Sequence, residues 1–69
     1  MEISARNVFS GRVATCKAGP IAAEVQVDIG GGTTVTAVIT AASAERLGLA
    51  AGSPVKVIVK ASDVMIAID

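Results

Sequence analysis

The residues able to do chemistry in this chain lie near its two ends. Ile3-Ser4-Ala5-Arg6-Asn7 packs a hydroxyl, a guanidinium and a carboxamide into one short stretch, and all three can donate hydrogen bonds. Arg6 is permanently charged, and its planar fork suits oxygen-rich anions. Lys60-Ala61-Ser62-Asp63 supplies an ammonium and a second hydroxyl. Catalysis has little to work with. There is no histidine, no paired-carboxylate signature, and no nucleophile beside a base at a recognisable spacing. The expectation is a binding protein, not an enzyme.

The scaffold for these groups has to be small. Residues 1–69 make one domain, and a chain of this size buries only roughly 60% of its unfolded surface. Below about 70–80 residues a single core seldom supplies more than a few kcal/mol without a staple. One cysteine cannot form an internal disulfide, and without histidine there is no Cys/His metal site. Self-association is the staple that remains. The apolar fraction of 52% comes from Val, Ile and Ala, with Phe9 the only aromatic residue, so part of this surplus should face partner chains.

Charge and composition exclude other classes. Six basic residues balance six acidic ones, which argues against nucleic acid, where phosphate neutralisation needs a net basic face. A lone aromatic offers no stacking platform for single strands. Met-Glu-Ile-Ser lacks the basic and apolar regions of a secretory signal, and no apolar run approaches the roughly 20 residues that cross a bilayer. A cytoplasmic protein without membrane contact is expected, with Cys16 a buried small hydrophobe.

Periodicity gives five short strands. Asn7 to Cys16 is the first, with Gly11 marking a bulge or sharp bend, and Lys17-Ala18-Gly19-Pro20 turns the chain. From Ile21 to Ile29, Val25, Val27 and Ile29 alternate with Glu24, Gln26 and Asp28, the period of a half-buried strand. Gly30-Gly31-Gly32 closes a hairpin to Thr33–Thr40. A phosphate loop would need a following helix and a lysine at fixed spacing, and a β-branched run follows instead. The one helix spans Ala41 to Leu47, with Thr40 as N-cap and Gly48 at C′. Leu47 and Leu49 should plug one end of the barrel, with Glu45 and Arg46 solvated. Val55 to Lys60 is the fourth strand. Val64 to Ile68 is the fifth, apolar almost throughout as when both faces are covered, with Met65 in the core. The architecture expected is all-β: a five-stranded barrel resembling the oligonucleotide-binding (OB) fold, with one short helix between strands 3 and 4.

Several stretches form an ordered set. They are Ser-Ala-Arg-Asn at the start, the glycine-rich hairpin, the Thr-Ala-Ala-Ser-Ala-Glu-Arg-Leu-Gly-Leu helix and turn, and Lys-Ala-Ser-Asp-Val-Met-Ile-Ala at the end. Over essentially the whole chain this set resembles the molbindins, small molybdenum-pterin-binding proteins built of a single Mop or TOBE domain. The resemblance implies a cytoplasmic protein that binds molybdate, and tungstate with it, for storage or homeostasis. It implies a homohexamer, a trimer of dimers, with oxyanion sites at subunit interfaces. Carried over position by position, the ligands are Ser4, Arg6, Asn7, Lys60 and Ser62, with the backbone amide of Ala61. A second class of site, lined by backbone amides, maps to the Lys17, Gly19 and Ile21 turn. Pro20 has no amide hydrogen to donate there.

Such a ligand set makes chemical sense. A tetrahedral dianion offers four oxygens, which hydroxyls, amides and one or two cations can satisfy from several directions. Converging dipoles in a preformed, dry pocket act at low effective dielectric. Each residue also has a plainer reading. Arg6 is ordinarily a solvated charge, Lys60 an edge-protecting lysine, Ser62 the cap of its own turn, and Asn7 a brace for the turn into the first strand. The competing function is a ligand-sensing module that docks on a molybdate transporter or regulator.

Overall fold

The computed structural model describes residues 2–69. Four antiparallel strands form one sheet in the order β3-β2-β1-β4. They are β1 (Asn7–Ala18), β2 (Ala22–Gly30), β3 (Thr33–Thr40) and β4 (Pro54–Val59), with helix α1 (Ala41–Leu47) between β3 and β4. The protein is thus all-β and OB-fold-like, with its helix where the sequence places it.

The long first strand organises the sheet by serving two partners. Its first half, Asn7 to Arg12, pairs with β4, and Arg12 to Ala18 pairs with β2. The register slips between Val13 and Thr15, so the bulge falls at Ala14 and not at Gly11. Gly11 does something else. A Cβ there would lie 2.5 Å from the Asp28 carbonyl oxygen and 2.9 Å from Val27 Cγ1. Glycine is required because β1 and β2 approach too closely at the bend for any side chain.

Alternation along β2 and β3 behaves as the sequence predicts. Val25 and Val27 are buried and Ile29 is half-buried, while Val35, Ala37 and Ile39 form the inner face of β3. The hairpin closes through Gly31-Gly32, and all three glycines from Gly30 have positive φ, which only glycine adopts without steric cost. The Gly30 amide also donates to Asp28 Oδ1 at 2.8 Å. Thr40 caps α1, its Oγ1 accepting from the Ser43 amide at 3.0 Å. Gly48, at φ 64°, ends the helix with its N–H on the carbonyls of Ala44 and Glu45.

The core is small: Val13, Val25 and Val27 form the buried cluster, with Cys16, Ile29, Ile39, Leu49, Val55 and Val57 partly buried against it. Leu49 packs there, whereas Leu47 is 63% exposed and only borders an apolar groove between β3 and β4. Cys16 is half-buried. β1 runs on through Lys17 and Ala18 because both pair with β2, and β4 begins at Pro54 and ends at Val59, leaving Lys60 outside it.

The fifth segment differs from expectation. After β4 the chain makes a 3-10 turn, Ala61–Asp63, and Val64 to Ile68 then forms no ladder with the sheet. Met65 is 92% exposed, not core, and Ile66 and Ile68 are comparably bare. Within one copy no strand pairs with this segment, so its apolar side chains meet no sheet face. The sheet keeps β3 and β4 as its two edges, and the barrel stays open between them.

Candidate functional site

The two polar clusters are brought together by the β1–β4 ladder. Asn7 and Val59 are its terminal partners, so the chain before Asn7 and the chain after Val59 leave the sheet at the same end. Ser4 and Arg6 precede β1, and Lys60, Ala61 and Ser62 follow β4, all of them exposed. The two segments are therefore neighbours within one copy.

Asn7 fixes the junction. It is half-buried, and its Nδ2 donates to the Val59 carbonyl at 3.1 Å. The carboxamide therefore braces the ladder end, as its plainer reading holds, while its second amide hydrogen and its oxygen remain unassigned by that bond. On the opposite side the 3-10 turn is closed by the Asp63 amide donating to the Lys60 carbonyl at 2.9 Å. The amides of Ala61 and Ser62 precede that first bond and so have no acceptor inside the turn. Around this end stand two cations, two hydroxyls and backbone amides, with the Asp63 carboxylate next along the chain.

The second predicted region is less suited to an anion. The Gly19 amide already donates to the Ala22 carbonyl at 2.8 Å, and Pro20 has none. Gly19 and Pro20 line a cleft of about 430 Å³ together with the Glu45 carboxylate, which repels anions. Lys17 lies on β1 opposite Glu24, and Ile21 is 81% exposed.

A basic cleft that sequence reasoning missed lies on the outer face of β1 and β4. Its volume is about 540 Å³, and Ser10, Arg12 and Lys56 line it with Pro54. Ser10 and Lys56 are cross-strand partners far apart in sequence. Only their outward positions in the period-two pattern could have signalled the pair. Both cations have internal work: Lys56 Nζ donates to Ser10 Oγ at 3.4 Å and Arg12 Nη1 to the Gly52 carbonyl at 3.1 Å. Arg12 thereby helps hold the turn before β4, which is also tied to β1 by the Val13 amide on the Ser53 carbonyl, 2.9 Å, and the Gly52 amide on the Val13 carbonyl, 2.7 Å.

An OB-type half-barrel with a cationic, donor-rich end is the class of protein that fold and site define. The TOBE domain matches residues 3–66, and the chain belongs to that family, among its molybdenum-pterin-binding (Mop) members. It is 44% identical over 66 residues to molybdenum-pterin-binding protein 1 of Clostridium pasteurianum, a match covering 96% of this chain and 97% of that protein. The structure of a molybdate binding protein from Sporomusa ovata superposes with a TM-score of 0.92 at 32% identity, over 99% of this chain and 100% of that one. The cytoplasmic molybdate-binding protein ModG, solved with molybdate bound, has a TM-score of 0.85 at 52% identity, over 88% of this chain and 43% of ModG.

Proposed function

We propose that this protein binds molybdate, and tungstate alongside it, as a storage or homeostasis protein of the cytoplasm, with no catalytic activity. The observation that supports this reading is the Asn7–Val59 pairing, from which the segments carrying Ser4 and Arg6 and carrying Lys60, Ala61 and Ser62 leave the sheet at the same end. Arg6 and Lys60 supply charge, Ser4 and Ser62 hydroxyl donors, Asn7 its free amide hydrogen, and Ala61 a backbone N–H. The names and folds of the relatives support the ligand.

In a single copy these donors are open to water, where exposed charges are screened and each contact is weak. A low-dielectric cage needs a lid, and a second copy is the lid we propose. The oxyanion then lies at a subunit interface within a homohexamer, a trimer of dimers, each copy acting as one domain. No membrane partner enters this reading; among the described residues no helix is long and apolar enough to cross a bilayer.

The test is isothermal titration calorimetry with molybdate and tungstate, combined with native mass spectrometry to count subunits and anions. Saturable heat at a fixed anion-to-subunit ratio is expected. Absence of heat and of any thermal shift in excess molybdate overturns the proposal. The competing reading, a ligand-sensing module docked on a transporter or regulator, predicts stoichiometric capture of such a partner.

A further inference from the structure

The outer face of the β1–β4 ladder carries two positive charges set side by side. Ser10 and Lys56 are direct cross-strand partners, and Arg12 lies opposite Pro54 at the next outward position. Arg12 and Lys56 are therefore diagonal neighbours on one face, close enough for long side chains to meet. Their hydrogen bonds go to neutral oxygens, the Gly52 carbonyl for Arg12 and Ser10 Oγ for Lys56. Asp28, the partner of Arg12 on β2, directs its carboxylate to the Gly30 amide instead. The two like charges thus repel one another, and the fold offers them no anion.

All three side chains keep donors to spare. Arg12 commits one N–H of its fork, and Ser10 accepts from Lys56, which leaves its hydroxyl hydrogen free. The Lys56–Ser10 bond, at 3.4 Å, is long enough for the ammonium to turn to a better acceptor. These groups line a cleft of about 540 Å³ with Gly11, Pro54 and Val55, and among the described residues no carboxylate lines it. Clefts that hold whole small molecules measure roughly 300–1,000 Å³, so a bare tetrahedral oxyanion fills only part of this one. The Pro54 ring and the aliphatic stems of Arg12 and Lys56 give the rest of a ligand an apolar wall.

We infer that this cleft binds a small phosphomonoester, with its phosphate held by Arg12, Lys56 and Ser10 and its organic body against Pro54. Such a phosphate carries a charge of about −1.5 to −2 at neutral pH, which matches the two cations, whereas a single carboxylate leaves one of them uncompensated. The guanidinium fork engages two oxygens, the ammonium acts as a point charge, and the hydroxyl donates to a further oxygen. The bound anion also relieves the repulsion between Arg12 and Lys56. The site is separate from the one proposed for molybdate, since Ser10 lies about 10 Å along β1 from Asn7 at roughly 3.3 Å per residue. Its occupancy does not depend on that reading.

Mapping of backbone amide chemical shifts on isotope-labelled protein tests the assignment. Phenyl phosphate and inorganic phosphate are titrated in turn, with excess molybdate present throughout and at low salt, because exposed charges are screened. Saturable shifts are expected at Ser10, Gly11, Arg12, Val55 and Lys56, and at lower concentration for phenyl phosphate than for inorganic phosphate. No saturable shift with either probe, or shifts confined to the neighbourhood of Arg6 and Lys60, overturns the inference. Equal affinity for the two probes means that the cleft takes the free anion, and overturns the assignment of an organic body.

Substitution of Lys56 reads the same point through charge. Lys56→Met keeps the aliphatic stem on an exposed position and should weaken phenyl phosphate by about 10-fold or more, while Lys56→Arg should retain binding. Unchanged affinity in Lys56→Met overturns the inference. Molybdate titration is scored separately on the same samples. Loss of phenyl phosphate binding everywhere while molybdate still titrates removes this site alone. Phosphate shifts that respond to Lys56→Met in protein that never binds molybdate remove the molybdate reading and leave this site standing.

Discussion

Asn7 Nδ2 donates to the Val59 carbonyl at 3.1 Å, and this one bond joins the last residue pair of the β1–β4 ladder to the place where both polar clusters begin. The strand that follows Arg6 and the strand that precedes Lys60 are pinned together by a side chain that belongs to the proposed site itself. If Asn7 belongs to the anion site as proposed, fold stability and anion binding are linked at this point.

Removing that brace should be felt in both. Asn7→Ala loses one part-buried side-chain hydrogen bond, worth about 1 kcal/mol, which for a chain of this size lowers the melting temperature by roughly 4–8 °C. Asn7→Asp should cost more, since a carboxylate cannot donate to the Val59 carbonyl and repels an incoming dianion. Melts at one fixed protein concentration, paired with molybdate titration, check the order wild type, Ala, Asp; the fixed concentration matters because oligomer stability rises with it.

Arg6→Ala should separate binding from folding. Arg6 is exposed and outside the sheet, so stability should change by no more than about 0.5 kcal/mol. Loss of a charge-assisted contact of about 1.5–3 kcal/mol should weaken molybdate binding by roughly 10- to 100-fold. Calorimetry reads the second quantity and a thermal melt the first. Unchanged affinity removes Arg6 from the site.

Gly11→Ala is the scaffold counterpart. Its new methyl group meets the Asp28 carbonyl oxygen at 2.5 Å and Val27 Cγ1 at 2.9 Å, and a backbone atom within the ladder cannot step aside as a flexible side chain would. We expect a loss of about 1–3 kcal/mol, or failure to fold if the strands cannot separate. Urea denaturation measures it. A variant as stable as wild type would mean that β1 and β2 are not this close.

The helix start offers a smaller, local test. Thr40→Ala removes the oxygen that accepts from the Ser43 amide and should cost about 1 kcal/mol. Thr40→Ser keeps the oxygen and should recover most of it. Denaturant midpoints for the pair decide whether the cap or the methyl group matters.

Much of this was legible before any coordinates, for a reason specific to each element. The alternation around Val25, Val27 and Ile29 reports burial on one face, the glycine run reports positive φ, and Thr40 with Gly48 brackets a helix whose ends need those two residue types. Met65 shows where such reading ends. A wholly apolar run says that a segment will be covered, yet carries no information about which chain covers it. Gly11 shows the same limit, because its role depends on the Asp28 carbonyl, a neighbour created by the folding of β1 onto β2.

What the sequence determined by itself was therefore local: strand period, hairpin, helix and caps, and the two donor-rich stretches whose types suit an anion. Backbone sterics and side-chain alternation act over a few residues, so the order of residues is enough to set them. The tertiary structure alone decided that β1 divides its length between two partners, that Asn7 meets Val59, and that the edges of β3 and β4 stay free while the tail lies exposed. Those outcomes depend on which strands crowd together around the small core, a balance among distant contacts that no short stretch of sequence encodes.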